Sequence, residues 1–144
     1  MAVLALSAAM VALGCDTSTT SPASPDQLFF PTYSRSAGGA SLMARVSGRL
    51  TVHDACLFLV PDEGNEYLVA WSPPSRLALI GGRVAVTDSS GLIAFVGDRV
   101  QLAGGELDAS GGDPSVRVET MIGAPIPAAC RIGSYWLGSL TPTK

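Results

Sequence analysis

The sequence predicts an all-β fold: seven or eight short strands closed as a small antiparallel barrel or a sandwich. Apolar and polar residues alternate over short runs such as "RVSGRLTV" and "RVQLAGGEL", so each run offers one face to a core. Turn signals rich in Gly, Pro, Asp and Ser recur roughly every eight to twelve residues, the spacing of sandwiches and barrels. No amphipathic stretch is long enough for a useful helix.

In "RVSGRLTV" Val46, Leu50 and Val52 share a face, and Gly48 supplies a bend. "ACLFLV" is apolar on both faces, which predicts a buried central strand or the continuation of the first. "EYLVAWS" sets Tyr67, Val69 and Trp71 on one face and Leu68 and Ala70 on the other, and "PPS" then breaks the chain. "RVAVT" and "LIAFV" flank Asp88-Ser89-Ser90-Gly91, a hydroxyl-rich turn ending in glycine, and read as a hairpin. Gly97-Asp98 turns into the next run, where Val100 and Leu102 oppose Arg99 and Gln101. "SVRVETM" alternates Val116 and Val118 against Arg117 and Glu119 and reads as a further strand, and "SYWLGSL" is the last.

Residues 1–14 carry no charge. They are too few to span a bilayer, which needs roughly 20 apolar residues, and they match the apolar region of a secretory signal. Val11-Ala12-Leu13-Gly14-Cys15 resembles the lipobox of bacterial lipoproteins. That resemblance implies cleavage before Cys15, a diacylglyceryl group on its thiol, and acylation of the new amino terminus. It also implies a place in the bacterial cell envelope, anchored to a membrane on the extracytoplasmic side. The alternative is a buried N-terminal helix with an ordinary apolar cysteine, but "DTSTTSPASPDQ" follows at once and gives such a helix little to pack against. The domain plan is therefore a signal peptide with lipidated Cys15 over 1–15, a Ser/Thr/Pro-rich tether over 16–41, and a β-domain over 42–144. Within the tether, "LFFPTY" is apolar and is expected to dock on the domain or form a short edge strand.

Residues 42–144 suffice for one small core. A net charge of −3 and a pI near 4.9 argue against a nucleic-acid partner, because phosphate binding needs a basic surface. Once Cys15 is lipidated, Cys56 and Cys130 remain as an even set in an oxidising compartment. Either they form a bridge that pins the C-terminal segment onto the core, or they are two buried thiols.

"GRLTVHDACLFLV", "EYLVAWSP", "VAVTDSSGLIAFVGDRVQLAGGEL" and "AACRIGSYW" together resemble small secreted bacterial lipoproteins of uncharacterised function, over residues 48–136. The resemblance implies a shared fold and a Cys56–Cys130 bridge, and no activity. The G-D-x-V-x-L-x-G element is similar to a strand entry of OB-like barrels, so the barrel expected is OB-like.

Motifs for chemistry are sparse. His53, the one histidine, precedes Asp54. Neighbours in a strand point to opposite faces, so an exposed strand-end histidine is expected rather than a dyad. No nucleophile elbow supports a Ser-His-Asp site. No zinc-ligand spacing is present. Glu106, Asp108 and Asp113 lie in a Gly-rich stretch that reads as a solvated turn before it reads as a calcium loop. Gly104-Gly105 and Gly111-Gly112 precede no expected helix, so a phosphate cradle is unsupported. No cofactor is implied. Among the aromatics, Tyr67 and Trp71 share a strand face, with Tyr135 and Trp136 near the end of the chain. Outside a barrel, Tyr67 and Trp71 would stack on a sugar or peptide; inside, they would fill the core.

The expected function is that of a non-enzymatic, lipid-anchored envelope protein whose β-domain binds or supports an envelope protein, peptide or glycan. The alternatives are a small secreted hydrolase and an oligosaccharide- or peptide-binding OB-like module. A cleft with His53 beside a Ser or Asp favours the first alternative; Tyr67 and Trp71 exposed in a groove favour the second.

Overall fold

The computed structural model describes residues 24–34 and 43–142. Cys15, the signal peptide and both flanks of the expected tether lie outside them. The described residues are mostly β, with strands β1 (Ala44–His53), β2 (Cys56–Pro61), β3 (Tyr67–Trp71), β4 (Arg76–Ile80), β5 (Arg83–Thr87), β6 (Ile93–Phe95), β7 (Arg99–Leu107) and β8 (Tyr135–Thr141). Strands β1, β2, β3, β8 and β7 pair in that order and β7 pairs back onto β1, so the five form a ring. Strands β4, β5 and β6 form a second sheet inserted between β3 and β7.

Pairing is antiparallel throughout except between β3 and β8, which run parallel. The all-antiparallel expectation is corrected at this pair. Parallel neighbours need a long connection, and the chain between β3 and β8 contains the whole second sheet, β7 and a helix.

Register places one parity of side chains inside the ring. Leu50 faces Leu59, Leu102 faces Leu140, and Val69 lies beside Trp136. Val86 and Ala94 of the second sheet join this core. A second core covers the outside of β2, β3 and β8, where Phe58, Leu68, Ala70 and Leu137 meet Val118, Ile126 and Cys130. Two cores on one strand explain why "ACLFLV" is apolar on both faces: Leu57 and Leu59 point in, Cys56 and Phe58 point out, and all four are buried. Gly104 and Gly138 are register partners on β7 and β8. A Cβ at Gly104 would overlap the Leu137 carbonyl oxygen, and one at Gly138 the Ala103 carbonyl oxygen. Such close approach lets a small ring coil tightly.

The stretch expected as the strand "SVRVETM" is instead a helix, α1 (Pro114–Ile122). Asp113 caps it, its carboxylate accepting from the Ser115 amide at 2.8 Å, with Pro114 in the first turn. Gly123, in the left-handed region at φ 69°, ends it. Ser115 and Val118 are buried at helical spacing, whereas Val116 is exposed. The two-residue alternation of Val116 and Val118 was too short to define a period.

Residues 28–33, within the expected tether, are packed on the body. Phe29 bridges to Cys56 and Thr32 to Trp71, both in parallel sense, and Leu28 is buried. The docking expected of "LFFPTY" occurs, so the stretch 16–41 is not a free tether along its whole length. Cys56 and Cys130 are joined in a disulfide with Cα atoms 5.6 Å apart.

Candidate functional site

The β1–β2 connection is a tight turn in which Asp54 (φ 51°) and Ala55 (φ 60°) are both left-handed. This takes Asp54 out of strand alternation and brings its Oδ2 to 3.3 Å from His53 Nδ1, so the expectation that the two point apart is overturned. His53 Nε2 lies 3.0 Å from Glu66 Oε2, and the imidazole stacks on Phe58 with ring centroids 4.3 Å apart. The Glu66 hydrogen bond, aided by Asp54, raises the imidazole above its ordinary pKa against a smaller desolvation effect. A general base needs a ring nitrogen directed at a nucleophile. Both nitrogens here face carboxylates, and the group is a hydrogen-bonded clamp between the end of β1 and the approach to β3.

Tyr67 and Trp71 do share a face, but it is the interior of the ring. Trp71 is 0 % exposed, and the Phe30 ring stacks on it at 5.3 Å. Tyr67, half-buried, donates its hydroxyl to Glu106 at 3.2 Å and meets Trp136 edge-on at 5.6 Å. Burial, then the Glu106 charge, hold the Tyr67 phenol above its ordinary range. Of the two readings of Tyr67 and Trp71, a stacking platform outside the barrel or core filling inside it, the side chains lie as in the second. Tyr135 and Trp136 are buried on opposite faces of β8, in the outer and inner cores respectively.

The acidic stretch after β7 is divided among local tasks. Glu106 serves Tyr67, Asp108 accepts from the Ser110 amide at 3.1 Å, and Asp113 caps α1. Hydrogen bonds from Ser110 and Ser115 hold the carboxyls of Asp108 and Asp113 below the usual range. No group of three metal-ligating side chains occurs among the described residues. Gly111-Gly112 does precede a helix, contrary to expectation, but Asp113's own carboxylate accepts from the first-turn amide an anion would use.

Among the clefts that open at the surface of the described residues are these two. One, of about 390 Å³, lies between β6, the start of β7 and the end of β8. Its walls are Leu92, Ala94, Val100 and Leu140, and Asp98 and Arg99 stand at its rim. Arg99 is paired with Asp62, and Asp98 with Arg83 at 3.3 Å, so the rim charges are partnered. The other, about 290 Å³, is lined by Leu28, Phe29, Ala55, Pro127, Cys130, Asp26 and Asp54, beside the disulfide. Neither is signalled in the sequence, because each is assembled from segments far apart in the chain.

No helix among the described residues is long and apolar enough to cross a membrane. No protein-family model, curated protein or solved structure matches the chain.

Proposed function

We propose that the protein is a non-enzymatic, lipid-anchored component of a bacterial cell envelope whose β-domain binds or supports an envelope protein or peptide. The observation that carries this reading is the pairing of a lipobox-like Cys15 with a domain cross-linked by Cys56–Cys130. A disulfide persists in the compartment to which a lipobox directs a chain. The His53 clamp supports a structural use of the histidine over the hydrolase alternative, since both ring nitrogens face carboxylates.

The ring order and the parallel β3–β8 pair support an OB-like barrel as the finer form of the fold. In such barrels the face of the second and third strands commonly binds oligonucleotides and oligosaccharides. Here Phe58, Leu68 and Ala70 on that face are covered by Val118, Ile126 and Cys130, which favours a protein or peptide partner over a glycan.

Two or three acyl chains, at about 0.8 kcal/mol per buried methylene, anchor a protein stably. Cys15→Ser is expected to leave the precursor uncut or to move the domain from the membrane to the soluble fraction. A Cys15→Ser protein processed and anchored like the parent would sink the lipid-anchor reading.

A further inference from the structure

Strands β2 and β3 are joined by only a short ladder, Phe58 with Leu68 and Leu59 with Tyr67. Towards Cys56 and Trp71 the two strands part, and residues 28–33 lie in the opening. Phe29 bridges the β2 side at Cys56, and Thr32 bridges the β3 side at Trp71. The Phe29 amide donates to Ala55 O at 2.8 Å, the Trp71 amide to Pro31 O at 2.8 Å, and the Tyr33 amide to Trp71 O at 3.1 Å. Trp71 thus turns both backbone groups towards this segment, on the edge away from β8.

We propose that the β2–β3 seam is a seat for an extended peptide, filled in cis by residues 28–33. A partner segment with two aromatic residues followed by proline would replace them. This rests on the reading of the domain as a binding module and names its partner class. Backbone hydrogen bonds to a strand edge give affinity, and side-chain pockets give selectivity. The seated segment shows what the pockets accept: Leu28 is buried beside the disulfide, Phe29 packs on the outer core, and Phe30 stacks on Trp71. Pro31 presents only a carbonyl, and a carbonyl is what Trp71 requires of it. The segment lies N-terminal to β1 and is not one of the five strands that close the ring.

The test uses the full chain and a synthetic peptide of residues 26–34, Asp-Gln-Leu-Phe-Phe-Pro-Thr-Tyr-Ser, followed by tryptophan fluorescence. In the parent, the tethered segment competes at an effective concentration on the order of millimolar, so free peptide binds weakly. Phe30→Ala removes the stack on Trp71 and should tighten peptide binding about tenfold or more, since aromatic anchors dominate such contacts. The same peptide with alanine for its second phenylalanine should lose that gain. A folded Phe30→Ala protein, with its disulfide intact, that shows no saturable binding overturns the proposal. So does one that instead dimerises, which would assign the seam to the segment of a second copy. If Phe30→Ala does not fold, hydrogen exchange on the parent decides. Phe29, Tyr33 and Trp71 amides exchanging through a local opening, ahead of Val69, support a replaceable occupant; protection equal to the core strands overturns it. None of these outcomes bears on whether Cys15 anchors the chain, which fractionation reads separately.

Discussion

His53 is the one histidine of the chain, and its neighbours bias its protonation. Its ring lies on Phe58 while each nitrogen faces a carboxylate, Asp54 on one side and Glu66 on the other. Neutral imidazole can donate through one nitrogen only, whereas the protonated ring donates through both. Folding therefore favours the protonated form, and the folded pKa stands above the unfolded value of about 6.5. A raised folded pKa contributes stability that is complete below the unfolded pKa and is lost as pH rises through the folded one. The thermal midpoint should accordingly step down as pH rises above about 6.5, the unfolded value, and His53→Ala should remove that step. The step is small, because the His53 side chain is 40 % exposed and water screens the pair. An identical pH profile in the parent and His53→Ala would disprove the clamp. The contact is not legible in the sequence, because the rule of alternating faces holds only for extended backbone and Asp54 has a positive φ.

Strands were legible wherever alternation ran for several residues, as in β1, where Val46, Leu50 and Val52 face the interior. The helix was not, although Asp113-Pro114 and Gly123 are its start and stop signals, because the valines of "SVRVETM" also fit a two-residue period. Strand β4 is equally hidden: "RLALI" follows two prolines and ends in Leu79 and Ile80, both exposed and on opposite faces. The least legible feature of the elements is the function of their glycines. Gly104 looks like one half of a flexible Gly-Gly pair, yet it sits buried within β7, facing Gly138, with φ 149°. Gly104→Ala forces its Cβ onto the Leu137 carbonyl oxygen in a backbone region that side chains rarely adopt. Both effects act together, and the expected loss is about 3 kcal/mol or more. Gly97→Ala, at a turn where a Cβ meets nothing within 4 Å, carries only the φ penalty and should cost less. Urea unfolding of the two variants gives the comparison. Equal midpoints would mean that β7 and β8 can separate at Gly104 without loss.

At the scale of the molecule, the β class follows from local pattern but the ring does not. Its closing pairs, β1 with β7 and β3 with β8, join segments distant in the chain, and no local signal names such partners. Nor does local pattern show that the ring carries a second layer outside β2, β3 and β8. The disulfide belongs to that layer. It joins the start of β2 to the short 3-10 turn Ala128–Cys130, across a sequence separation of 74. A closed loop of that length restricts the unfolded chain by about 4 kcal/mol in the chain-entropy account. The region it holds is residues 124–131, not the final strand: β8 is hydrogen-bonded to β3 on one side and β7 on the other. Without the bridge, residues 124–131 keep the Glu119 carboxylate, which accepts from the Ile126 amide at 2.8 Å and from the Arg131 guanidinium. Reduction, or the Cys56→Ser and Cys130→Ser double variant, should therefore lower the urea midpoint without changing the β content. The Ile126, Cys130 and Arg131 amides should then gain hydrogen exchange before Leu137 and Leu140 do. Earlier exchange at Leu137 and Leu140 would mean that the bridge pins the last strand after all, and an unchanged midpoint would mean that it pins nothing.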